Sequence, residues 1–392
     1  MVYLDHAATT AVRPEVMEVV HAELGRLGNP SSLHDAGRRA RRVVEESRES
    51  VAEVLGATPH EVVFTGGGTE ANNLAVKGLY WARNRADPRR RRVLVSAVEH
   101  HAVLDPAHWL AETQGAQCVE LPVDEHGMLD AQTLRAELER DPDATALVSV
   151  MWANNEVGTL QPITELAQVA AEYGVPLHTD AVQAPAQVFV DFAASGVSAL
   201  SVSGHKIGGP VGVGALILAR GTDPVPVLHG GGQERDIRSG TLMTPLLAGM
   251  ATASTLAVAE RPEHAAVLAG LRDELLDEVR SVVPDMELNG PPGARLPGNA
   301  HVSFPGCAAD ALLMLLDAAG VACSAGSACT AGVAQPSHVL LAMGAERERA
   351  LGSLRFSLGH GSTSADVAGL GAALGPAVQR ARQAEAVRTV AR

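Results

Sequence analysis

The chain has 392 residues, 46% of them apolar but only 3% aromatic, and a formal net charge of −14 at pH 7. That length accommodates one large α/β domain with a smaller one attached, its core built from Ala, Val and Leu. The acidic balance argues against a general affinity for nucleic acid, and no apolar run approaches the ~20 residues that span a bilayer, so neither direct nucleic-acid binding nor membrane insertion is expected.

The opening Met1-Val2-Tyr3-Leu4-Asp5-His6 lacks the basic head and apolar stretch of a signal peptide, which makes the cytoplasm the expected compartment. Val43, Val44, Ser47, Val51 and Val54 recur at helical spacing and predict a helix ahead of any sheet. From about residue 60 to 220, short apolar strands alternate with helical stretches. The strands are read at Glu61–Phe64, Val93–Ser96, Ala146–Met151, Val175–His178, Ala199–Ser203 and Gly214–Leu218. This rhythm predicts an α/β fold with a mainly parallel sheet covered by helices. The basic run Arg89-Arg90-Arg91-Arg92 reads as a solvated loop before the second strand. After Thr241 come long helical patterns near 245–260 and 264–283. A mixed tail from His301 to about Ala377 follows, read as a smaller α+β C-terminal domain.

The chemistry starts from lysine. There are only two, Lys77 and Lys206, against 29 arginines. Only a primary amine condenses with an aldehyde to form a Schiff base; a guanidinium does not. Lys77 falls mid-helix in Ala75-Val76-Lys77-Gly78 and reads as a surface residue. Lys206 ends Ser203-Gly204-His205-Lys206, between a buried strand and the turn Ile207-Gly208-Gly209-Pro210, where it can reach a ligand. Ligands of parallel α/β sheets bind at the carboxyl ends of strands. The first strand is followed there by Thr65-Gly66-Gly67-Gly68-Thr69-Glu70. This is a Gly-rich turn into a helix that suits an anion, although an ordinary loop looks the same. Asp180, at another strand end, needs a cationic or donor partner, and a protonated pyridine nitrogen is one. Ser203 and His205 add phosphate donors. Anion cup, aspartate and lysine on successive strand ends are what pyridoxal 5′-phosphate requires for its phosphate, ring nitrogen and aldehyde.

Further motifs run in order along the chain: Tyr3-Leu4-Asp5-His6-Ala7-Ala8-Thr9-Thr10, Gly28-Asn29-Pro30-Ser31-Ser32 with His34, Gly68-Thr69-Glu70-Ala71-Asn72-Asn73 and Glu99-His100. Then come Asn154-Asn155-Glu156-Val157-Gly158, His229-Gly230-Gly231-Gly232-Gln233-Glu234, Arg238-Ser239-Gly240-Thr241, Gly326-Ser327-Ala328-Cys329 and Arg355-Phe356-Ser357-Leu358-Gly359. In this order and spacing they resemble the cysteine desulfurases of the class V aminotransferase group, over nearly the whole chain. The stretch from Cys329 to Pro336-Ser337 is similar to the long-loop subgroup.

The resemblance implies a type I fold of pyridoxal-phosphate-dependent transferases. Residues 16–260 would form the large cofactor domain and 261–392 the small one, joined by residues 1–15. It implies that Lys206 holds the cofactor and moves protons at the substrate Cα, that Asp180 pairs with the ring nitrogen, and that Gln183 bonds the ring hydroxyl. His100 would stack on the ring and act as acid or base. Gly68, Thr69, Ser203 and His205 would bind the phosphate, with Thr241 reaching it from the other subunit of a homodimer. Arg355, helped by Asn155, would clamp the carboxylate of L-cysteine. Cys329 would take the sulfur as a persulfide and hand it to an acceptor protein, an iron–sulfur scaffold or a tRNA thiolase. No resident metal is expected, beyond Cys329 as a transient iron–sulfur ligand.

Read from residues alone, several of these have plainer alternatives. His100 in Glu99-His100-His101 also suits a polar helix start. Arg355 between apolar neighbours also suits a structural ion pair. The cysteines at 118, 307, 323 and 329 form no CxxC pair. Cys118 and Cys307 look structural, and Cys323 is either packing or a resolving thiol. Cys329 stands in a run of small residues without apolar periodicity, where an attacking thiol belongs, although buried cysteines are usually inert. Two other activities remain open: an aminotransferase or selenocysteine lyase of the same fold, which would not depend on Cys329, and a sulfur or iron carrier without a cofactor.

Overall fold

Strand residues buried on both faces build the centre of the protein. The computed structural model describes residues 1–326 and 335–390. A short strand β1 (Val2–Tyr3) opens the chain. It is followed by β2 (Val62–Thr65), β3 (Arg92–Ser96), β4 (Gln117–Leu121), β5 (Thr145–Ser149), β6 (Leu177–Asp180), β7 (Ala199–Ser203) and β8 (Gly214–Leu218). These last seven form one sheet in the order β2-β8-β7-β6-β5-β3-β4. Only β8 runs antiparallel to its neighbours, so the sheet is mainly parallel, as the sequence predicts. Every residue of β2, β3 and β5 to β8 is buried, the mark of a sheet covered by helices on both sides. Polar residues inside it are matched to each other: His178 Nδ1 meets Ser149 Oγ at 2.8 Å and Nε2 meets Ser201 Oγ at 2.9 Å across three strands.

The second core is smaller. Strands β9 (Glu287–Asn289), β10 (Asn299–Ser303) and β12 (Ser353–Ser357) form an antiparallel sheet in the order β12-β10-β9, while β11 (Val321–Ala322) pairs with β1. Leu4 near the chain start packs into this core with Leu275, Val279, Phe304, Phe356 and Leu370. The two helical patterns expected near 245–260 and 264–283 are one helix, Thr244–Val282, of 39 residues. Its first half buries Leu247, Met250 and Ala251 in the large core. Its second half buries Leu268, Leu275 and Val279 in the small one. Pro262, between the two expected patterns, is exposed where the helix crosses between the cores. A missing N–H there is tolerated because water can reach the freed carbonyl. The boundary at residue 260 thus falls inside a continuous helix. Among the described residues, no helix is long and apolar enough to cross a membrane.

One buried ion pair ties the helix Asp35–Val54 to the sheet. Arg48 Nη1 and Nη2 donate to Glu234 at 2.8 and 2.7 Å, and Glu234 also accepts from the Phe64 backbone N–H at 2.8 Å. Glu234 is almost fully buried, so removing either partner strands a charge in the core. Glu234→Ala should lower stability by about 3–5 kcal/mol, read from the midpoint of denaturant unfolding, and an unchanged midpoint would remove this pair from the account of the fold.

Candidate active site

Three strand ends of the large sheet open onto one cavity. Strand β2 runs through Gly66 and Gly67 into the helix Gly68–Ala86; β6 ends at Asp180; β7 ends at Ser203 and turns through Gly204–Lys206. The cavity holds about 430 Å³, and it brings together Gly68, Thr69, His100, Asn155, Asp180, Gln183, Ser203, His205, Lys206 and Arg355. Thr241 lies outside it, exposed on the segment before the long helix. Cys329 lies outside the described residues. Lys77 is in the helix Gly68–Ala86, away from the cavity, with Nζ 4.4 Å from the Trp109 ring centroid.

One end of the cavity is built by backbone. Gly67 caps the helix with φ +148°, a conformation that favours glycine, and no side chain caps the free N–H groups. A Cβ on Gly68 would stand 2.8 Å from Val182 Cγ2, so bare backbone is needed there. Free helix N–H groups beside the Thr69 and Ser203 hydroxyls make an anion site.

At the opposite end, Asp180 is fixed by two donors: Asn72 Nδ2 to Oδ2 at 2.6 Å and the Val182 N–H to Oδ1 at 2.9 Å. Lys206 Nζ donates to the carbonyls of Ala7 and Ala8, at 2.5 and 2.6 Å. Burial, with Arg355 adding to it, brings the Lys206 pKa down to about 8 against the pull of Asp5 and Asp180. His100 stands at a helix start, the plainer of its two readings. It caps the helix His101–Gln114, its Nδ1 accepting from the Ala102 N–H at 3.0 Å, and its ring lines the cavity. Nε2 therefore carries the ring proton, and burial lowers the pKa so that the ring stays neutral. Burial also lowers His205, to about 4, with Lys206 as the lesser cause. Gln183 donates to the Ala7 carbonyl at 2.9 Å.

Arg355 makes the structural ion pair that its sequence context allowed. Its Nη2 pairs with Asp5 Oδ1 at 2.7 Å and Nη1 donates to the Asn155 carbonyl at 2.9 Å, while the buried Nε has no partner among the described residues. Sequence reasoning assigned no role to Asn72 or Asp5, though both stand in motifs it quoted. It also missed Glu99, which is fully buried beside Asp180 and accepts from the Met151 N–H at 2.5 Å. Burial first, then the Asp180 charge, raises its pKa well above the carboxylate range. The described cysteines are all held as thiols by burial, Cys118 at about 11 and Cys323 at about 12, with Cys307 also raised. Among the described residues, no cluster of three or more His, Cys, Asp or Glu could hold a metal ion.

The family model for class-V aminotransferases matches residues 2–370. The chain belongs to the class-V aminotransferase family. Within it, the chain is 57% identical over 385 residues to an IscS-like cysteine desulfurase of Mycobacterium tuberculosis, covering 98% of each protein. A NifS-like protein of known structure superposes with a TM-score of 0.87 at 33% identity, covering 98% of this chain and 99% of that one. Another, SspA in complex with cysteine, gives 0.79 at 34% identity, covering 91% and 99%. The protein is a class-V aminotransferase family member of the cysteine desulfurase branch, with the type I fold, and its cofactor is pyridoxal 5′-phosphate. The cavity fits that group. An unpaired helix N-terminus suits the phosphate, a doubly held carboxylate suits the ring nitrogen, and a buried amine suits the aldehyde.

A deprotonated amine is the nucleophile, and its fraction rises as pH passes its pKa. Covalent uptake of cofactor by protein stripped of it should therefore rise with pH through a midpoint near 8, the value burial gives Lys206, rather than near the ~10.4 of a free lysine. Uptake is read by borohydride trapping and mass spectrometry. Lys206→Ala should trap nothing, and trapping on Lys77 instead would refute the assignment.

Proposed function

We propose that this protein removes sulfur from L-cysteine, releasing L-alanine and leaving a persulfide on Cys329 for transfer to an acceptor protein in the cytoplasm, an iron–sulfur scaffold or a tRNA-thiolating enzyme. The observation that carries the reading is the convergence of Lys206, Asp180 and the unpartnered edge of Arg355 on one cavity. A sulfur or iron carrier without a cofactor has no use for that set.

Pyridoxal 5′-phosphate, when bound, supplies an electron sink that acidifies the substrate Cα. The chain's own residues do the rest. Thr69, Ser203 and His205 hold the phosphate together with the helix N-terminus at Gly68. Asp180 holds the ring nitrogen protonated, its geometry set by Asn72. Arg355 receives the substrate carboxylate on its free Nε edge, its position held by Asp5, with Asn155 beside it. Lys206, lowered to about 8, takes and returns the proton at Cα. His100, neutral with its proton on Nε2, is placed for a second proton transfer at the sulfur end. The Cys329 thiolate attacks the substrate sulfur. The S–S bond forms as the C–S bond breaks, and the electron pair left on the carbon takes a proton to become the methyl group of alanine.

The reading includes a homodimer. Met17, Leu24, Leu27, Leu33, Val211 and Met243 are large apolar side chains exposed to solvent, on or near Thr241 and the first helices. Such a surface is costly to leave in water, and a second copy of the chain would cover it. Thr241 on that face would then complete the partner's phosphate site. Sedimentation should find a dimer at working concentration, and a fully active monomer would refute this. Cys329→Ser should bind cysteine with wild-type affinity, seen in the visible spectrum of the holoenzyme, yet release almost no alanine. Mass spectrometry should find an adduct of about 32 Da on Cys329 in the wild type only; the adduct on Cys323, or normal turnover by the variant, would overturn the assignment.

A further inference from the structure

A polar relay runs from the surface into the small sheet and ends on a buried donor that has no partner among the described residues. It begins where Arg349 Nε pairs with Glu287 at 2.9 Å. Arg349 also donates through Nε and Nη2 to Asn289 Oδ1, at 3.1 and 2.7 Å. A guanidinium only donates, so the Asn289 atom facing it is the carbonyl oxygen. Its NH₂ is thereby turned toward His301 Nδ1 at 3.0 Å and Ser303 Oγ at 2.8 Å. An amide NH₂ also only donates. His301 Nδ1 is therefore the acceptor, and the ring proton sits on Nε2. The ring is fully buried, and burial, more than the nearby Arg355, holds its pKa down at about 3, so it stays neutral. Its Nε2–H has no partner among the described residues. A buried donor left unpaired costs about 1–3 kcal/mol, so it calls for a purpose.

What that donor faces is Gly326. A Cβ built there would stand 3.2 Å from His301 Nε2 and 3.0 Å from Glu156 Oε2, and the residue has φ +80°. The chain is held just ahead of this point: Ser324 and Arg355 exchange backbone hydrogen bonds at 3.2 and 2.6 Å, and Ser324 Oγ accepts from the Gly326 N–H at 3.1 Å. Glu156 has a second contact, accepting from Ser337 Oγ at 2.5 Å, and Ser337 in turn caps the helix His338–Ala342. Glu156 is also fully buried, and burial raises its pKa. One carboxyl thus meets the chain at both Gly326 and Ser337, with the His301 donor across from it.

The geometry points to His301 and Glu156 as positioning residues for sulfur transfer: they clamp the chain at Gly326 and Ser337, the two points between which Cys329 lies in the sequence. This deepens the desulfurase reading and rests on it. His301 is the cross-strand partner of Arg355 on β10 and β12. The strand pair that would hold the substrate carboxylate therefore also sets the point of departure for the residue that would receive the sulfur. A misplacement of about 1 Å between reacting groups can lower a rate about 100-fold, so such a clamp affects transfer without touching the reacting atoms.

The test separates binding from transfer in the holoenzyme. Cysteine affinity is read from the visible spectrum, and transfer from the single-turnover appearance of persulfide on Cys329 by mass spectrometry. His301→Leu should slow transfer by about 10–100-fold while cysteine affinity stays within about threefold. His301→Gln, which keeps an N–H near the Nε2 position, should recover most of the rate. Gly326→Ala should slow transfer as His301→Leu does, because its Cβ intrudes on both clamp residues, and it carries the test if His301→Leu does not fold. Wild-type transfer in His301→Leu or Gly326→Ala overturns the clamp, as does a Gln variant no better than Leu. A loss of cysteine affinity in step with rate overturns it too, and makes His301 a support of Arg355. A wild-type adduct on a residue other than Cys329 overturns the functional reading itself, and this inference with it.

Discussion

The ion pair between Asp5 and Arg355, 2.7 Å long, joins the start of the chain to the last strand of the small sheet, and the site depends on it. Around it, residues 4 to 10 form a strap between the two cores. Leu4 is buried in the small core, and the Ala7 N–H donates to Ser357 Oγ at 2.9 Å. The same strap presents the Ala7 and Ala8 carbonyls to Lys206 and the Ala7 carbonyl to Gln183, and the Thr10 N–H donates to the His205 carbonyl. One short segment therefore holds the lysine, the glutamine and the arginine, which come from three different elements. A buried Arg355 without Asp5 would be an uncompensated charge, so the fold keeps the strap in place for electrostatic reasons as well as packing.

Burial is the common cause behind the electrostatics of the cavity, and it acts oppositely on acids and bases. It disfavours the charged form. It therefore lowers Lys206 to about 8, where a useful share of the amine is unprotonated at neutral pH, and keeps His100 and His205 neutral. The same burial raises the pKa of Glu99 and of Glu156. Asp180 accepts two hydrogen bonds, from Asn72 and the Val182 N–H, which fix its orientation in the cavity. The neighbouring Glu99 accepts one, from the Met151 N–H, and burial, with the Asp180 charge as the lesser cause, raises its pKa.

What was legible in the sequence follows from distance along the chain. Strand ends, glycine turns and the two lysines are local, and local pattern located Gly68, Thr69, Asp180, Ser203, His205 and Lys206, whereas His100, Asn155, Gln183 and Arg355 came only from the resemblance. Strand β4 was missed because Gln-Cys-Val-Glu at a sheet edge has neither an apolar run nor clean alternation. The long helix was read as two patterns, and each half buries its apolar residues in a different core. The partners that tune the site come from far away: Asn72 to Asp180 spans 108 positions and Asp5 to Arg355 spans 350. No periodicity carries such information. His301 was legible only as the start of a tail, since its tautomer is decided by Asn289 and Arg349, each on a separate element.

An aminotransferase could use the same lysine, aspartate and arginine, so these residues alone do not separate the two activities. The thiols do. A sulfur acceptor must reach the thiolate state near neutral pH, and a thiol buried in apolar surroundings does not. Cys118 is held at about 11 and Cys323 at about 12, while Cys307 is packed in the small core. Cys323 is the instructive case, because it lies close to Arg355 and Asp5, near enough to the cavity to invite a role. Desolvation and the Asp5 charge raise its pKa, and Arg355 only partly offsets them. Proximity without ionisation is not enough. The proposed acceptor, Cys329, stands three residues past Gly326 in sequence.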